Sequence, residues 1–309
     1  EPMNRVIEIT QTLVRTPSVN PVYDPESPGA KPVLEWIAAW GADHGFAVER
    51  YPVPEVPGHQ ENLILRLENG RGPHLLLNGH LDTVSVHGMT IPPFGGDIRD
   101  NKLWGRGACD MKGPVAAMLV AAETLRDQPE SWRGTLTLAF TPDEEVTTYG
   151  IRALMKQMPR PDFAIVGEPS TLQPMRGCKG SVRFVLRCHG RAAHSSRPHL
   201  GRSAIVAMSR AVVALDDYFQ RVLGAVKRPQ FGSSTGSTGT IRGGTGINIV
   251  PDACEIQVDI RLVPGQDADE TFNQLQCWFA ETFPKEDGIS WSWEILITDP
   301  AFETAPDHP

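Results

Sequence analysis

Hydrophobic positions along the chain change period several times, and each change marks an element. Val6, Ile7, Ile9, Leu13 and Val14 predict a first helix over 4–15. A loop rich in Pro, Gly and Ser covers 21–32, and a second helix over 32–44 stops at Gly45. Residues 46–51 and 62–67 read as strands, and Leu75-Leu76-Leu77 is a short apolar run that suits a buried one. After a Pro- and Gly-bearing loop over 86–97, Val115, Met118, Leu119, Ala122 and Leu125 return to helical spacing behind Pro114, a residue at home in a first turn. Residues 135–140 alternate as a strand, and 162–166 form another short apolar strand.

Beyond Pro174 the period settles to two. Val182, Phe184, Leu186 and Cys188 alternate with Arg183 and Arg187, as in a half-buried strand. An amphipathic helix over 202–222 carries Ile205, Met208, Val212, Leu215 and Phe219 on one side. The Gly-, Ser- and Thr-rich stretch 231–246 admits a short strand around Thr240-Ile241-Arg242. Cys254, Ile256, Val258, Ile260 and Leu262 alternate without a break, Asp267 and Glu270 have capping-box spacing for a helix bearing Phe272, Leu275, Trp278 and Phe279, and Trp291, Trp293, Ile295 and Ile297 mark the last strand. That order is βαββαβ, the ferredoxin-like arrangement. The prediction is an α/β protein. A doubly wound, mostly parallel-sheet domain over 1–174 is interrupted by a small domain over 175–298, and 299–309 returns to the first.

Composition narrows the functional classes. At 309 residues, 21% charged and 40% hydrophobic, the chain is ordinary for a two-domain globular protein, and its net charge of −8 argues against nucleic acid or an anionic membrane as partner. No run approaches the roughly 18 apolar residues of a membrane span. The start at Glu1 has no signal-peptide pattern and reads as trimmed. Five cysteines scattered from Cys109 to Cys277 form no disulfide framework, so the expectation is a reduced, cytoplasmic protein.

The chemistry gathers where strands end. The run 75–80 delivers His80, followed two residues on by Asp82, whose carboxylate is placed to accept the proton on the other imidazole nitrogen. Asp110 lies just before the helix at Pro114, Asp143-Glu144-Glu145 follow the strand over 135–140, and Glu168 follows the strand over 162–166. Ligands of such sheets bind beyond the carboxyl ends of the strands, and a histidine with several carboxylates there suits zinc, cobalt or manganese. Singly, His80 reads as a polar strand-end residue and the acidic run as a solvated turn; their recurrence at equivalent places favours ligation. Cys109 reads as a small buried filler with no activating base nearby, and Gly105 and Gly107 lack the third glycine of a dinucleotide fingerprint.

Four motifs in this order, NGHLDTV (78–84), GRGACDMKG (105–113), TPDEEV (141–146) and VGEPS (166–170), resemble the zinc-dependent amidohydrolase and exopeptidase family of acetylornithine deacetylase, succinyl-diaminopimelate desuccinylase, aminoacylase-1 and carboxypeptidase G. The resemblance implies a catalytic domain interrupted by a ferredoxin-like lid that also makes a homodimer. It implies that Asp110 bridges two zinc ions, that His80 and Glu168 complete one site, and that Glu145 serves the other. Spacing alone does not distinguish Glu144 from Glu145 as ligand or base; the family assigns the base to Glu144, with Asp82 in support. It also implies a cis peptide after Asp110.

GRAAHSSRP (190–198) matches the family's motif around a histidine, here His194, that reaches a neighbouring subunit's active site, a polar loop histidine being the alternative. The stretch 243–248, ending at Asn248, and Arg261 match positions that hold the substrate carboxylate, although Arg261 shares a strand face with Glu255, Gln257 and Asp259, as an ordinary solvated arginine would. The implied substrate is an N-acyl amino acid or a short peptide, and a glutamate at 168 points to deacetylase-like members. The family's last metal ligand is a histidine near the C-terminus, beyond the lid. The sequence stops at Pro309, where His308 has a different setting. Residues 1–309 are therefore expected to bind at most one metal tightly and to leave apolar surface near the site, and a non-catalytic metal-binding relative is the rival reading.

Overall fold

In the first half of the chain, helices α1 (Pro2–Arg15) and α2 (Lys31–Asp43) precede strands β1 (Ala47–Val53) and β2 (Gln60–Asn69), which a short turn folds into an antiparallel pair with Ala47 opposite Arg66. Strand β3 (His74–His80) reaches β4 (Gly134–Thr141) through α3 (Gly113–Asp127), and β4 reaches β5 (Phe163–Val166) through α4 (Tyr149–Gln157). Helical crossovers return the chain in the same direction, so β3 runs parallel to both β4 and β5. The sheet order is β1-β2-β4-β3-β5. The expected mostly parallel sheet is thus corrected to a mixed one: β2 is antiparallel to both β1 and β4.

Strand side chains alternate between two apolar layers. Leu63, Leu65, Leu77, Leu136, Leu138 and Phe140 pack with α1, α2 and α3, while Ile64, Leu76 and Ala139 pack with Leu154 of α4. Each fully buried leucine here contributes roughly 1.5–3 kcal/mol against exposure. Gly79 lets the end of β3 approach α3, since a Cβ there would lie 3.0 Å from Val115 Cγ2 and 3.1 Å from Met111 Cε. Strand β5 is the sheet edge, with Ile165 and Val166 each 56% exposed.

This computed structural model describes residues 2–308 and divides into two compact units, Glu1–Gln173 and Pro174–Pro309. The second has β6 (Gly180–His189), α5 (Ala204–Arg221), β7 (Thr235–Gly243), β8 (Ala253–Leu262), α6 (Ala268–Thr282) and β9 (Ser290–Asp299). Its sheet, β7-β8-β6-β9, is antiparallel throughout. Ser203 caps α5 by accepting Val206 N–H at 3.2 Å, and Asp267 caps α6 by accepting Glu270 N–H at 2.8 Å. One core joins both helices to the sheet, with the Phe184 ring 5.3 Å from Phe272 and 5.2 Å from Trp293.

Two expectations change in this unit. Strand β7 is much longer than the short strand around Thr240, and its pairing with β8 shifts register between Thr238 and Thr240. Phe302–Glu303 pairs with Gly177–Cys178, so the last residues group with the second unit rather than rejoining the first. Among the described residues no helix is long and apolar enough to cross a membrane.

Candidate metal centre

Parallel pairing of β4, β3 and β5 brings His80, the Asp143–Glu145 turn and Glu168 to one edge of the sheet. His80 is only 2% exposed. Its Nδ1–H donates to the backbone carbonyl of Asp82 at 2.9 Å, while the Asp82 carboxylate stands 3.6 Å away. The expected carboxylate acceptor is therefore corrected to a carbonyl. The tautomer is still fixed, and Nε2 faces the acids: 3.0 Å from Asp110 Oδ1, 3.7 Å from Glu168 Oε1 and 3.9 Å from Glu144 Oε2. Burial lowers the His80 pKa, but its hydrogen bond to Asp110 and the negative charge of Asp82 and Glu144 outweigh it and push it up to about 11.

Asp110 sits at a kink in the turn Ala108–Lys112 that leads into α3, with non-helical backbone angles of φ −122° and ψ 98°. Gly107, at φ +79°, starts this turn, and the Asp110–Met111 peptide is cis, as the resemblance implied. Met111 and Lys112 are buried beneath it; Lys112 Nζ donates to the carbonyl of Thr16 at 2.8 Å, and burial pushes its pKa down to about 7. Cys109 is exposed, not the buried filler expected, because the turn aims it outward. It lines a cavity of about 180 Å³ together with Arg106, Asp110 and Glu145.

The Asp82 carboxylate has a different task from the one expected. It accepts the backbone N–H of Glu144 at 3.1 Å and of Glu145 at 3.3 Å, and the Asn20 amide at 2.9 Å. Burial raises its pKa, yet His80, Asn20 and the Glu144 N–H together hold it below the ordinary aspartate range. The same Asn20 nitrogen donates to Asp143 Oδ1 at 2.9 Å. Sequence reading passed over Asn20 and over any supporting role for Asp143. A lone polar residue in a Pro-rich loop carries no periodic signal, and only the buried acids around it reveal its use.

Glu144, Glu145 and Glu168 all have raised pKa values, through burial first and the neighbouring carboxylates after it, with the His80 charge pulling the other way. Half-exposed carboxylates crowded against a buried imidazole offer donors to a cation. Two sets of donors have their ligand atoms within 4.8 Å of one another: His80, Asp110 and Glu145, and His80, Glu144 and Glu168. One imidazole with carboxylate oxygens fits a divalent ion of the zinc, cobalt or manganese kind. The grouping differs from the expected one, since Glu145 is drawn in with His80 and Glu144 stands among the donors.

The other candidates belong to the second unit. Ala193–His194 pairs with Ile249–Val250, and the Asn248 carbonyl accepts Ser195 N–H at 2.9 Å, so His194 and Asn248 are neighbours. His194 is exposed, with Nδ1 2.8 Å from Ser196 Oγ. Arg261 is not brought to them. It lies opposite Thr235, near one end of β8, whereas the 243–248 stretch leaves from the end where Gly243 faces Cys254. Its guanidinium holds Asp259 at 3.0 and 3.1 Å.

A histidine and acids gathered at the carboxyl ends of parallel strands are the equipment of a metallohydrolase. Comparison with known proteins narrows the class. Residues 76–279 match peptidase family M20/M25/M40. The chain is 34% identical over 313 residues to an acetylornithine deacetylase from Vibrio atlanticus, covering 98% of this chain and 80% of the relative. It resembles a tripeptidase structure from Staphylococcus aureus with a TM-score of 0.78 and 21% identity, over 98% of this chain and 78% of that one. A dinuclear metal-binding M20 peptidase from Bacillus subtilis gives a TM-score of 0.68 and 15% identity, over 98% and 76%. The chain belongs to peptidase family M20/M25/M40 and is a metal-dependent hydrolase of amide bonds.

Proposed function

We propose that the protein deacylates an N-acyl amino acid of the acetylornithine type, using zinc, or cobalt or manganese in its place, held by residues drawn from His80, Asp110, Glu145 and Glu168. The observation that carries this reading is the convergence of Asp110, Glu144 and Glu168 within 3.9 Å of His80 Nε2. The 34% identity to an acetylornithine deacetylase supports the choice of substrate. When bound, the metal supplies a Lewis acid for the amide carbonyl and lowers the pKa of water towards ~7. Glu144 takes the proton of the attacking water and passes it to the leaving amine. Asp82 holds the backbone of Glu144 in place.

In the same proposal the second unit is the lid and dimerisation domain. His194 of a second copy donates a hydrogen bond to the developing oxyanion. Asn248 holds the substrate carboxylate, whereas Arg261, bonded to Asp259 towards the other end of β8, takes no part. Strand β7 supports the dimer: it is a sheet edge, and Ile241 on it is 55% exposed. The test is a hydrolysis screen of zinc-loaded protein on N-acetyl-L-ornithine, other N-acetyl amino acids, dipeptides and tripeptides. Acetate release from the acetyl amino acids supports the reading, and turnover confined to peptides overturns the substrate choice.

A further inference from the structure

Two buried carboxylates, Asp82 and Asp143, each 2% exposed, share one neutral donor. Asn20, itself 1% exposed, gives one amide hydrogen to Asp82 Oδ2 and the other to Asp143 Oδ1, both at 2.9 Å. Its oxygen accepts Val22 N–H at 3.0 Å, which fixes the amide orientation and satisfies the group. The backbone beneath it is pinned as well. Asn20 N–H donates to the Thr83 carbonyl at 2.9 Å and Thr83 N–H to the Ser18 carbonyl at 3.0 Å, so 18–20 runs as a parallel bridge beside the chain leaving His80.

What Asn20 joins gives the arrangement its meaning. Asp82 holds the N–H groups of Glu144 and Glu145, and its carbonyl orients His80. Asp143, at φ +66° and bonded to the Thr147 hydroxyl, is the residue from which the turn swings out to present Glu144. The Asn20 amide, with two N–H groups on one nitrogen, satisfies an oxygen of each carboxylate at once. Alanine supplies neither hydrogen, and aspartate adds a third negative charge.

We propose that Asn20 is a positioning residue: by tying Asp82 to Asp143 it sets the placement of Glu144 against His80, and so the rate of proton transfer rather than the binding of metal or substrate. This rests on the reading of Glu144 as the base. The experiment compares Asn20→Ala, Asn20→Ser and Asn20→Asp with Glu144→Gln and the Asn20→Ala/Glu144→Gln double variant. All are zinc-saturated full-length protein, with kcat and KM on N-acetyl-L-ornithine, bound zinc and Tm recorded.

The expected result is a kcat about 10–100-fold lower for Asn20→Ala and lower still for Asn20→Asp, with KM and bound zinc close to the parent. Asn20→Ser keeps one donor and should fall between, which covers the case in which the alanine variant fails to fold. In the Glu144→Gln background, Asn20→Ala should cost little more, because the group it positions is already disabled. Parent-like kcat in Asn20→Ala overturns the proposal, as does a loss fully reversed by excess zinc or one repeated at full size in the Glu144→Gln background. If instead Glu144→Gln alone retains its turnover, the base assignment itself has failed, a result separate from any of these.

Discussion

The carboxylate of Asp82 accepts the backbone N–H of Glu144 at 3.1 Å, so a residue two places beyond His80 also fixes the turn that carries the proposed base. Asp82→Asn keeps the shape but leaves one acceptor oxygen and adds a donor facing N–H groups. The expected outcome is a loss of about 10–100-fold in turnover or zinc affinity with the fold intact. Steady-state kinetics with zinc titration check this, and a parent-like variant removes Asp82 from the assembly.

The adjacent glutamates should separate by readout. Glu144→Gln keeps its zinc and loses turnover by about 10²–10⁴-fold, as removal of a general base does. Glu145→Ala loses zinc, because it takes a carboxylate from the set with His80 and Asp110. Metal analysis beside kinetics decides the matter, and equal zinc loss in both variants contradicts the division of roles.

Metal and pH are linked through His80. In the metal-free protein burial lowers its pKa, but Asp110, Asp82 and Glu144 raise it to about 11. A raised pKa stabilises the fold fully below the ordinary histidine value of about 6.5 and progressively less as pH rises towards the folded value. The raised values of Glu144, Glu145 and Glu168 act in the same direction. Zinc takes the place of the His80 proton and neutralises the acids, so the loaded protein escapes this loss. The Tm gap between zinc-loaded and metal-free protein should widen from about pH 6 to about pH 9. A gap that narrows over that range contradicts the ligand role of His80.

The proposed dimer is tested at the edge strand. Ile241→Arg places a charge on β7, where a second copy would pair, and should convert dimer to monomer in sedimentation while leaving zinc content unchanged. A parent protein that is monomeric at all concentrations rules the dimer out.

Much of this was legible because period and punctuation agree in the chain. The apolar run before His80 reads as a buried strand, and the alternation at Cys254–Leu262 is unbroken. What escaped had weak local signals. Helix α4 buries little beyond Gly150 and Leu154, and the Gly, Ser and Thr residues of β7 give an edge strand no hydrophobic pattern. The antiparallel half of the first sheet depended on a turn whose length, not its composition, sets direction. The carbonyl acceptor for His80 and the Asn20 bridge depend on chain geometry that spacing does not encode.

The central claim is that the acids around His80 hold metal for amide hydrolysis. It is tested most directly by stripping the protein with a chelator, titrating zinc back, and following acetate release from N-acetyl-L-ornithine alongside bound zinc. The account predicts no turnover when stripped and activity that rises in step with zinc bound, both abolished by His80→Ala. Undiminished hydrolysis by the metal-free protein, or full zinc binding in His80→Ala, would contradict it.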